Sequence, residues 1–108
     1  MAYRIEFTDS ARSDLLDITR YIKKKSGRII AKQVLTELTK RVDMLREFPE
    51  RGNIPKELVE TGQTSFRELH YKPYRIFFAI DESNVTILLI ADGRRDMRTL
   101  LRHRLLND

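Results

Sequence analysis

Cysteine is absent from the 108-residue chain. The chain therefore has no disulfide, no thiolate ligand for zinc or an iron–sulfur cluster, and no thiol nucleophile. No apolar run approaches the ~18 residues that a membrane-spanning helix needs. The N-terminus alternates apolar and charged residues and contains no run of signal-peptide type. We therefore expect a soluble cytoplasmic protein that does not act at a membrane.

The motifs of the common enzyme classes are absent as well. There is no glycine-rich phosphate loop, no Gly-x-Ser-x-Gly turn and no His-Glu-x-x-His helix. Neither His70 nor His103 has a second histidine or a carboxylate at a spacing that indicates a metal site. The sequence thus predicts no cofactor and no bound metal, and we interpret both histidines as side chains without a chemical role.

Positive charge is present in excess. The 21 Lys and Arg residues outnumber the 16 Asp and Glu residues, which gives a net charge of +5. A small basic protein attracts anions, either nucleic acid or an acidic protein. Residues 1–48 carry 11 basic and 7 acidic side chains, so most of the excess lies in the first half of the chain. Net charge alone does not choose between the two kinds of partner.

The hydrophobic pattern predicts one α+β domain over residues 1–108. Tyr3, Ile5 and Phe7 alternate with charged residues, as in a strand with one buried face. Two amphipathic helices follow, separated by Gly27, and the short turn between them predicts an antiparallel hairpin. The second helix ends at Phe48-Pro49.

The second half of the chain predicts a β-meander and a last helix. The segment from 49 to 64 has no period and reads as a structured loop with one helical turn. Three strand-like segments follow it, at residues 66–71, 74–80 and 85–91. An amphipathic helix then begins near Met97. The predicted order is β-α-α-β-β-β-α, a small antiparallel sheet with the helical hairpin on one face and a C-terminal helix.

Arginines cluster around the ends of the last strands. Arg67 and Arg75 flank the Lys72-Pro73 turn. Three more follow the last strand, namely Arg94, Arg95 and Arg98. Adjacent antiparallel strands can bring such side chains to one sheet face, where converging guanidiniums bind a phosphate backbone or an acidic peptide. The alternative is ion pairing inside the domain with the neighbouring acidic residues Glu68, Asp92 and Asp96.

Catalysis requires more than this cluster. RNA cleavage by the 2′-hydroxyl needs a base, an acid and stabilisation of charge on the phosphate. Arginine supplies only the last of these, because its pKa above about 12 keeps it from transferring protons. Tyr71, Tyr74 or His70 would have to serve as acid or base. The sequence therefore predicts an anion-binding site more clearly than a catalytic set, with Tyr71 and Tyr74 as secondary candidates.

The order and spacing of several segments resemble the RelE/ParE superfamily of toxins from type II toxin–antitoxin modules, also described as plasmid-stabilisation proteins. The resemblance covers nearly the whole chain. It rests on Tyr3 to Phe7, Ala11 to Tyr21, Phe48-Pro49, Phe66 to Leu69, Pro73 to Ile76 and Asp92 to Met97. It implies a growth-inhibiting toxin, a cognate antitoxin as partner, and either DNA gyrase or ribosome-bound mRNA as target.

The two branches of the superfamily differ in their targets. RelE-like toxins cleave mRNA on the ribosome in a basic groove, and the positions that match it are Arg67, Arg75 and Arg95. Leu69 and Leu101, however, stand where that groove has a second basic residue and a tyrosine. The resemblance therefore leaves a RelE-type catalytic set incomplete.

ParE-like toxins poison DNA gyrase and lack the nuclease residues. Their long helical hairpin and C-terminal pattern are similar to residues 9–47 and 95–105 of this chain. We therefore favour gyrase poisoning, with mRNA cleavage as the alternative. A third hypothesis is a non-toxic module that uses the same arginines to bind nucleic acid or an acidic protein.

Overall fold

The structure is a computed structural model that describes residues 2–62 and 65–107. Its helices and strands are β1 (Arg4–Phe7), α1 (Asp9–Ser26), α2 (Arg28–Asp43), β2 (Phe66–Tyr71), β3 (Tyr74–Asp81), β4 (Asn84–Asp92) and α3 (Met97–Asn107). Short 3-10 helices between α2 and β2 are Met44–Arg46, Pro49–Arg51 and Lys56–Thr61. Residues 63 and 64 of the predicted loop lie outside the described residues. The predicted order of elements and the α+β fold are confirmed.

The α1–α2 hairpin follows from its capping residues. Thr8 caps α1 by accepting a hydrogen bond from the Ala11 amide at 3.0 Å. Gly27 ends α1 and begins α2 with φ 96°, a value that residues with a Cβ rarely adopt. Because one residue joins the helices, they return antiparallel against each other. No helix in the described part of the chain is long and apolar enough to cross a membrane.

The four strands form one sheet in the order β1-β4-β3-β2. The meander β2-β3-β4 is antiparallel, as expected, whereas β1 is parallel to β4. The sheet is therefore mixed, which differs from the fully antiparallel sheet expected from the sequence. The physical reason is that the helical hairpin, β2 and β3 separate β1 from β4 along the chain, so no tight turn constrains their relative direction.

Both faces of the sheet are covered. The helical hairpin packs on one face, against Ile76, Phe78 and Ile87, and α3 packs on the other, against Phe77 and Leu89. We call these the hairpin face and the α3 face. A shift in the β3–β4 register pairs Phe77 with Leu89 and Phe78 with Ile87, so β4 bulges between them. The central strands are buried on both sides, as their apolar runs predicted.

Candidate functional site

Arg75 lies on the α3 face and is neutralised by two carboxylates. Its guanidinium donates to Glu68 at 2.7 and 2.8 Å and to Glu57 at 2.9 and 2.8 Å. The Arg75 side chain is 10% exposed, and those of Glu57 and Glu68 are 8% and 3% exposed. The guanidinium also lies over the Phe77 ring, 4.8 Å from its centre. The alternative of ion pairing with Glu68 is confirmed for Arg75.

This Arg75 cluster (Arg75, Glu57 and Glu68) is assembled from three segments. Glu68 is on β2 beside β3, and Glu57 comes from the 3-10 helix Lys56–Thr61. Asn53 donates to Glu68 Oε1 at 3.2 Å, and His70 Nε2 lies 3.3 Å from Glu68 Oε2. The Arg75 stem passes beneath the turn after β4, where a Cβ on Gly93 would lie 3.2 Å from Arg75 Cδ. The cluster is therefore part of the packed structure.

Arg67 lies on the opposite side of the sheet from Arg75. The β2–β3 register pairs Arg67 with Phe78 and Arg75 with His70. Because successive residues of a strand point to opposite faces, Arg67 shares the hairpin face with Phe78. Its Nη1 donates to the Gly52 carbonyl at 2.9 Å. The expectation that Arg67 and Arg75 converge is wrong, since the two-residue turn pairs Tyr71 with Tyr74 and thereby separates them.

Arg94 and Arg95 lie beside Tyr74 in a groove of about 450 Å³ between α1 and the end of β4. We call it the tyrosine–arginine groove, and the residues that define it are Tyr21, Tyr74, Asp92, Arg94 and Arg95. Arg94 donates to the Asp92 carboxylate at 3.0 and 2.7 Å, so its ion pairing within the domain is confirmed. Arg95 is exposed and makes no side-chain hydrogen bond to another described residue.

Ionisation in this groove follows from burial and from Arg94. Burial, with a contribution from Asp92, raises the pKa of Tyr74 above its ordinary value of 10.0. The hydrogen bonds from Arg94 lower the pKa of Asp92 to about 2. At neutral pH the groove therefore holds a protonated phenol and an ionised carboxylate. Tyr74 is a poor base there, because its phenolate form is disfavoured.

The other predicted site residues lie elsewhere. Arg98 is exposed in the first turn of α3, and Leu101 of the same helix is buried. Tyr71 lies on the hairpin face and is paired with Tyr74 across the two strands, and the Arg41 guanidinium is 5.1 Å from the Tyr71 ring centre. Asp96 caps α3 by accepting from Thr99. Tyr74, Arg94 and Arg95 thus share the tyrosine–arginine groove, whereas the other four candidates do not line it, and the assignment of all seven to a binding site stays a prediction.

Comparison with known proteins assigns this chain to a family. The family model described as the ParE toxin of the type II toxin–antitoxin system parDE matches residues 5–97. The chain belongs to this ParE toxin family. It is therefore a toxin of a type II toxin–antitoxin system within the RelE/ParE superfamily, as the resemblance implied. Comparison with curated proteins gives no significant sequence match.

Solved structures share the fold of this toxin. A chain of the chromosomal ParDE system of P. aeruginosa is 18% identical, with a TM-score of 0.71 over 84% of this chain and 96% of that one. A chain of the RelBE2 toxin–antitoxin complex of Mycobacterium tuberculosis is 21% identical, with a TM-score of 0.61 over 85% of this chain and 99% of that one. A mutant of the E. coli toxin RelE in the free state is 15% identical, with a TM-score of 0.59 over 93% of this chain and 93% of that one. These similarities show the fold, whereas membership of a type II toxin–antitoxin family supports an antitoxin as the partner of this toxin.

Several residues that organise this region carry no sequence signal strong enough to single them out. Glu57 lies in an aperiodic segment, so nothing in its neighbourhood indicates that it meets Arg75. Asp14 and Arg104 are 90 positions apart and form an ion pair at 2.7 Å. The separation of Arg67 from Arg75 could have been predicted from the sequence. If Lys72-Pro73 is a two-residue turn, the alternation of side chains along the two strands places Arg67 and Arg75 on opposite faces of the sheet.

Because of the Arg75 cluster, the stability of the fold depends on pH in the acidic range. Hydrogen bonds from Arg75 lower the pKa of Glu57 below its ordinary 4.5. A carboxyl with a lower pKa in the folded chain contributes stability above its unfolded pKa, and this contribution is lost as the pH falls. We therefore expect the free energy of unfolding, measured in urea at constant ionic strength, to decrease as the pH drops below 4.5.

The variant Glu57→Gln removes this part of the pH dependence. We expect its unfolding free energy to be lower at neutral pH and to change less with acidification than that of the parent protein. Glu60→Gln is the matched control, because Glu60 is an exposed glutamate in the same 3-10 helix. Superimposable pH profiles for Glu57→Gln and the parent protein would show that the pKa of Glu57 is not lowered by folding.

Proposed function

We propose that this toxin inhibits growth by poisoning DNA gyrase and that it does not cleave mRNA. The Arg75 cluster carries the proposal. The position that matches the basic groove of RelE-like toxins holds an arginine whose charge is balanced by two buried carboxylates. The guanidinium is therefore engaged by carboxylates and has no uncompensated charge of its own for an RNA phosphate. This position is therefore unsuited to stabilising a cleavage transition state.

The remaining groups of an RNA-cleaving site are dispersed in this toxin. Arg67 lies on the other face of the sheet from Arg75, and Leu101 is buried where a tyrosine would contribute an acid or base. Tyr74 is buried, and its raised pKa keeps the phenol protonated at neutral pH. General acid–base catalysis requires its groups to lie within hydrogen-bond reach of one substrate. Arg67, Tyr74 and the position of Leu101 together do not meet this requirement.

Exposed arginines at the start of α3 offer a surface for gyrase instead. Arg98 and Arg102 are four residues apart and share one side of the helix, and Arg95 precedes them by one turn. All three are exposed, whereas Met97 and Leu101 between them hold α3 on the sheet. We call Arg95, Arg98 and Arg102 the α3 arginines. Exposed cations in and just before one helix can bind an acidic protein surface.

A supercoiling assay tests the proposal. Purified gyrase, ATP and relaxed plasmid are incubated with the toxin, and we expect loss of supercoiling and accumulation of cleaved plasmid. The variant R95Q/R98Q/R102Q should need at least about tenfold more protein for the same effect, or ~1.4 kcal/mol of binding. The control R4Q/K56Q/K72Q removes three other exposed cations and should inhibit gyrase like the parent toxin.

Two outcomes overturn the proposal. If gyrase is unaffected while ribosome-bound mRNA is cut within codons, the toxin is an endoribonuclease. If neither target is affected and induced expression without an antitoxin leaves growth normal at parent protein levels, the chain is a non-toxic binding module. Inhibition that is equal for the α3 variant and its control retains gyrase as the target but overturns the role of the α3 arginines.

A further inference from the structure

A cationic surface lies at the closed end of the α1–α2 hairpin. No acidic residue occurs between Asp17 and Glu37, and the segment between them carries six basic ones. We call these six the hairpin tip: Arg20, Lys23, Lys24, Lys25, Arg28 and Lys32. Within the described residues, five make no side-chain hydrogen bond or ion pair, and Lys25 alone is bonded, to the Tyr21 hydroxyl at 3.1 Å.

Some arginines elsewhere in the toxin have carboxylate partners, unlike those of the hairpin tip. Arg46 pairs with Asp43, Arg94 with Asp92 and Arg104 with Asp14. The tip cations, by contrast, are close together along the chain, and within the described residues none of them forms an ion pair with a carboxylate. Mutual repulsion among such charges is relieved by an anion from outside. The hairpin tip is therefore a surface whose charge is available to a ligand.

The shape and composition of the tip favour a particular kind of anion. Every residue from 23 to 30 is exposed, so the tip is a convex projection. Its end, residues 23–28, reads Lys-Lys-Lys-Ser-Gly-Arg, and the exposed apolar side chains next to it are Ile29 and Ile30. Two isoleucines beside six cations are a small apolar area for insertion into a bilayer. The cations lie on two packed helices, whose axes are about 8–10 Å apart. Lysine and arginine side chains from both helices can therefore reach several phosphates of a duplex, which carries one negative charge per about 1.7 Å of its axis.

We propose that the hairpin tip binds the phosphate backbone of duplex DNA. The contact uses five cations without partners and reads no base sequence, because lysine and arginine contacts to phosphate carry no sequence information by themselves. The proposal goes beyond the gyrase target and does not depend on it, since the contact is made to DNA alone. If gyrase is the target, the tip binds the substrate on which that enzyme acts.

Fluorescence anisotropy with a labelled duplex of about 20 base pairs and mixed sequence tests the proposal without gyrase. Five phosphate contacts predict a slope of log K against log salt of about −4.5, or a loss of roughly 500-fold in affinity between about 50 and 200 mM salt. The variant K23Q/K24Q/R28Q should reduce the slope to about −1.8 and weaken binding at least about tenfold at the lowest salt. Circular dichroism establishes that the variant is folded.

The control R4Q/K56Q/K72Q lowers the net charge by the same three units without touching the tip, and it should retain the parent slope. Equal losses in both variants would show attraction to net charge and overturn the proposal. A slope unchanged by the tip substitutions would also overturn it. Vesicles of phosphatidylserine and soluble polyglutamate are titrated in parallel. Binding to either that is tighter than binding to the duplex at the same salt would assign the tip to a membrane or an acidic protein.

Discussion

Arg75→Met is expected to destabilise the toxin by about 3–5 kcal/mol, because it leaves two buried carboxylates without their partner. Methionine keeps the apolar stem that packs beneath Gly93, so the loss comes from the guanidinium. Glu57 and Glu68 would then face each other with side chains at most 8% exposed. Such a loss is a large part of the 5–15 kcal/mol that stabilises a typical domain. Urea unfolding followed by circular dichroism measures it.

Two further variants separate charge burial from other causes. R75M/E57Q/E68Q removes the unpaired charges together with the arginine, and we expect it to recover more than half of the loss. Arg95→Met is the matched control at an exposed arginine and should change stability by about 0.5 kcal/mol or less. A loss below about 1 kcal/mol for Arg75→Met would show that the cluster contributes little to stability.

This prediction changes how loss of toxicity in an Arg75 variant is interpreted. In an RNA-cleaving toxin, loss of an arginine at the matched position would indicate a catalytic contribution. Here an unfolded fraction produces the same growth phenotype, because the residue joins β2, β3 and the 3-10 helix Lys56–Thr61. Toxicity should therefore be compared between Arg75→Met and R75M/E57Q/E68Q. Recovered toxicity in the triple variant would support a structural role for Arg75.

Arg104→Met is expected to lower stability by about 2–3 kcal/mol, because a partly buried ion pair and a hydrogen bond to the backbone are lost together. Arg104 donates to Asp14 at 2.7 and 3.0 Å and to the Leu88 carbonyl at 2.8 Å. Asp14 in turn accepts from the Ile90 amide at 3.0 Å. Pairing of β1 with β4 ends at Ile87, so these side chains take the place of a neighbouring strand.

Hydrogen exchange locates the effect of Arg104→Met. We expect the Ile90 amide to exchange faster than in the parent toxin, because Asp14 is held in place by Arg104. A double-mutant cycle with Asp14→Leu should give a coupling energy of at least about 1 kcal/mol. The control Arg102→Met changes an exposed arginine on the same helix and should leave stability and Ile90 exchange unchanged. Independent effects of the two substitutions would show that the ion pair between Asp14 and Arg104 does not link α1 to α3.

The elements of the fold were predictable because their signals are local. Thr8 and Gly27 delimit α1 through a side-chain cap and a positive φ, both of which depend on neighbouring residues only. The apolar runs of β3 and β4 predicted strands buried on both faces, and the structure covers them on both faces. The direction of β1 was not predictable from any local pattern. It depends on how the chain returns after two helices, and the structure makes it parallel to β4.

The site was less predictable, because charge partners are distant along the chain. Arg75 meets Glu57 across 18 residues and Asp14 meets Arg104 across 90. The sequence does not distinguish an arginine that is buried between two carboxylates from one that is exposed on a helix. The excess of charge in the first half of the chain was visible in composition, but its location on a convex surface required the hairpin.

The sequence by itself determined the family, the order of the elements and the positive charge of the protein, because residue order, hydrophobic period and composition are properties of the chain. Only the tertiary structure decided which cations are available to a partner. Ion pairing depends on distance and burial, and folding places Arg75 between Glu57 and Glu68 while it leaves the tip cations Lys23 and Lys24 exposed. Positive charge therefore stabilises the fold at Arg75, whereas at the hairpin tip it is exposed to solvent and available to a partner.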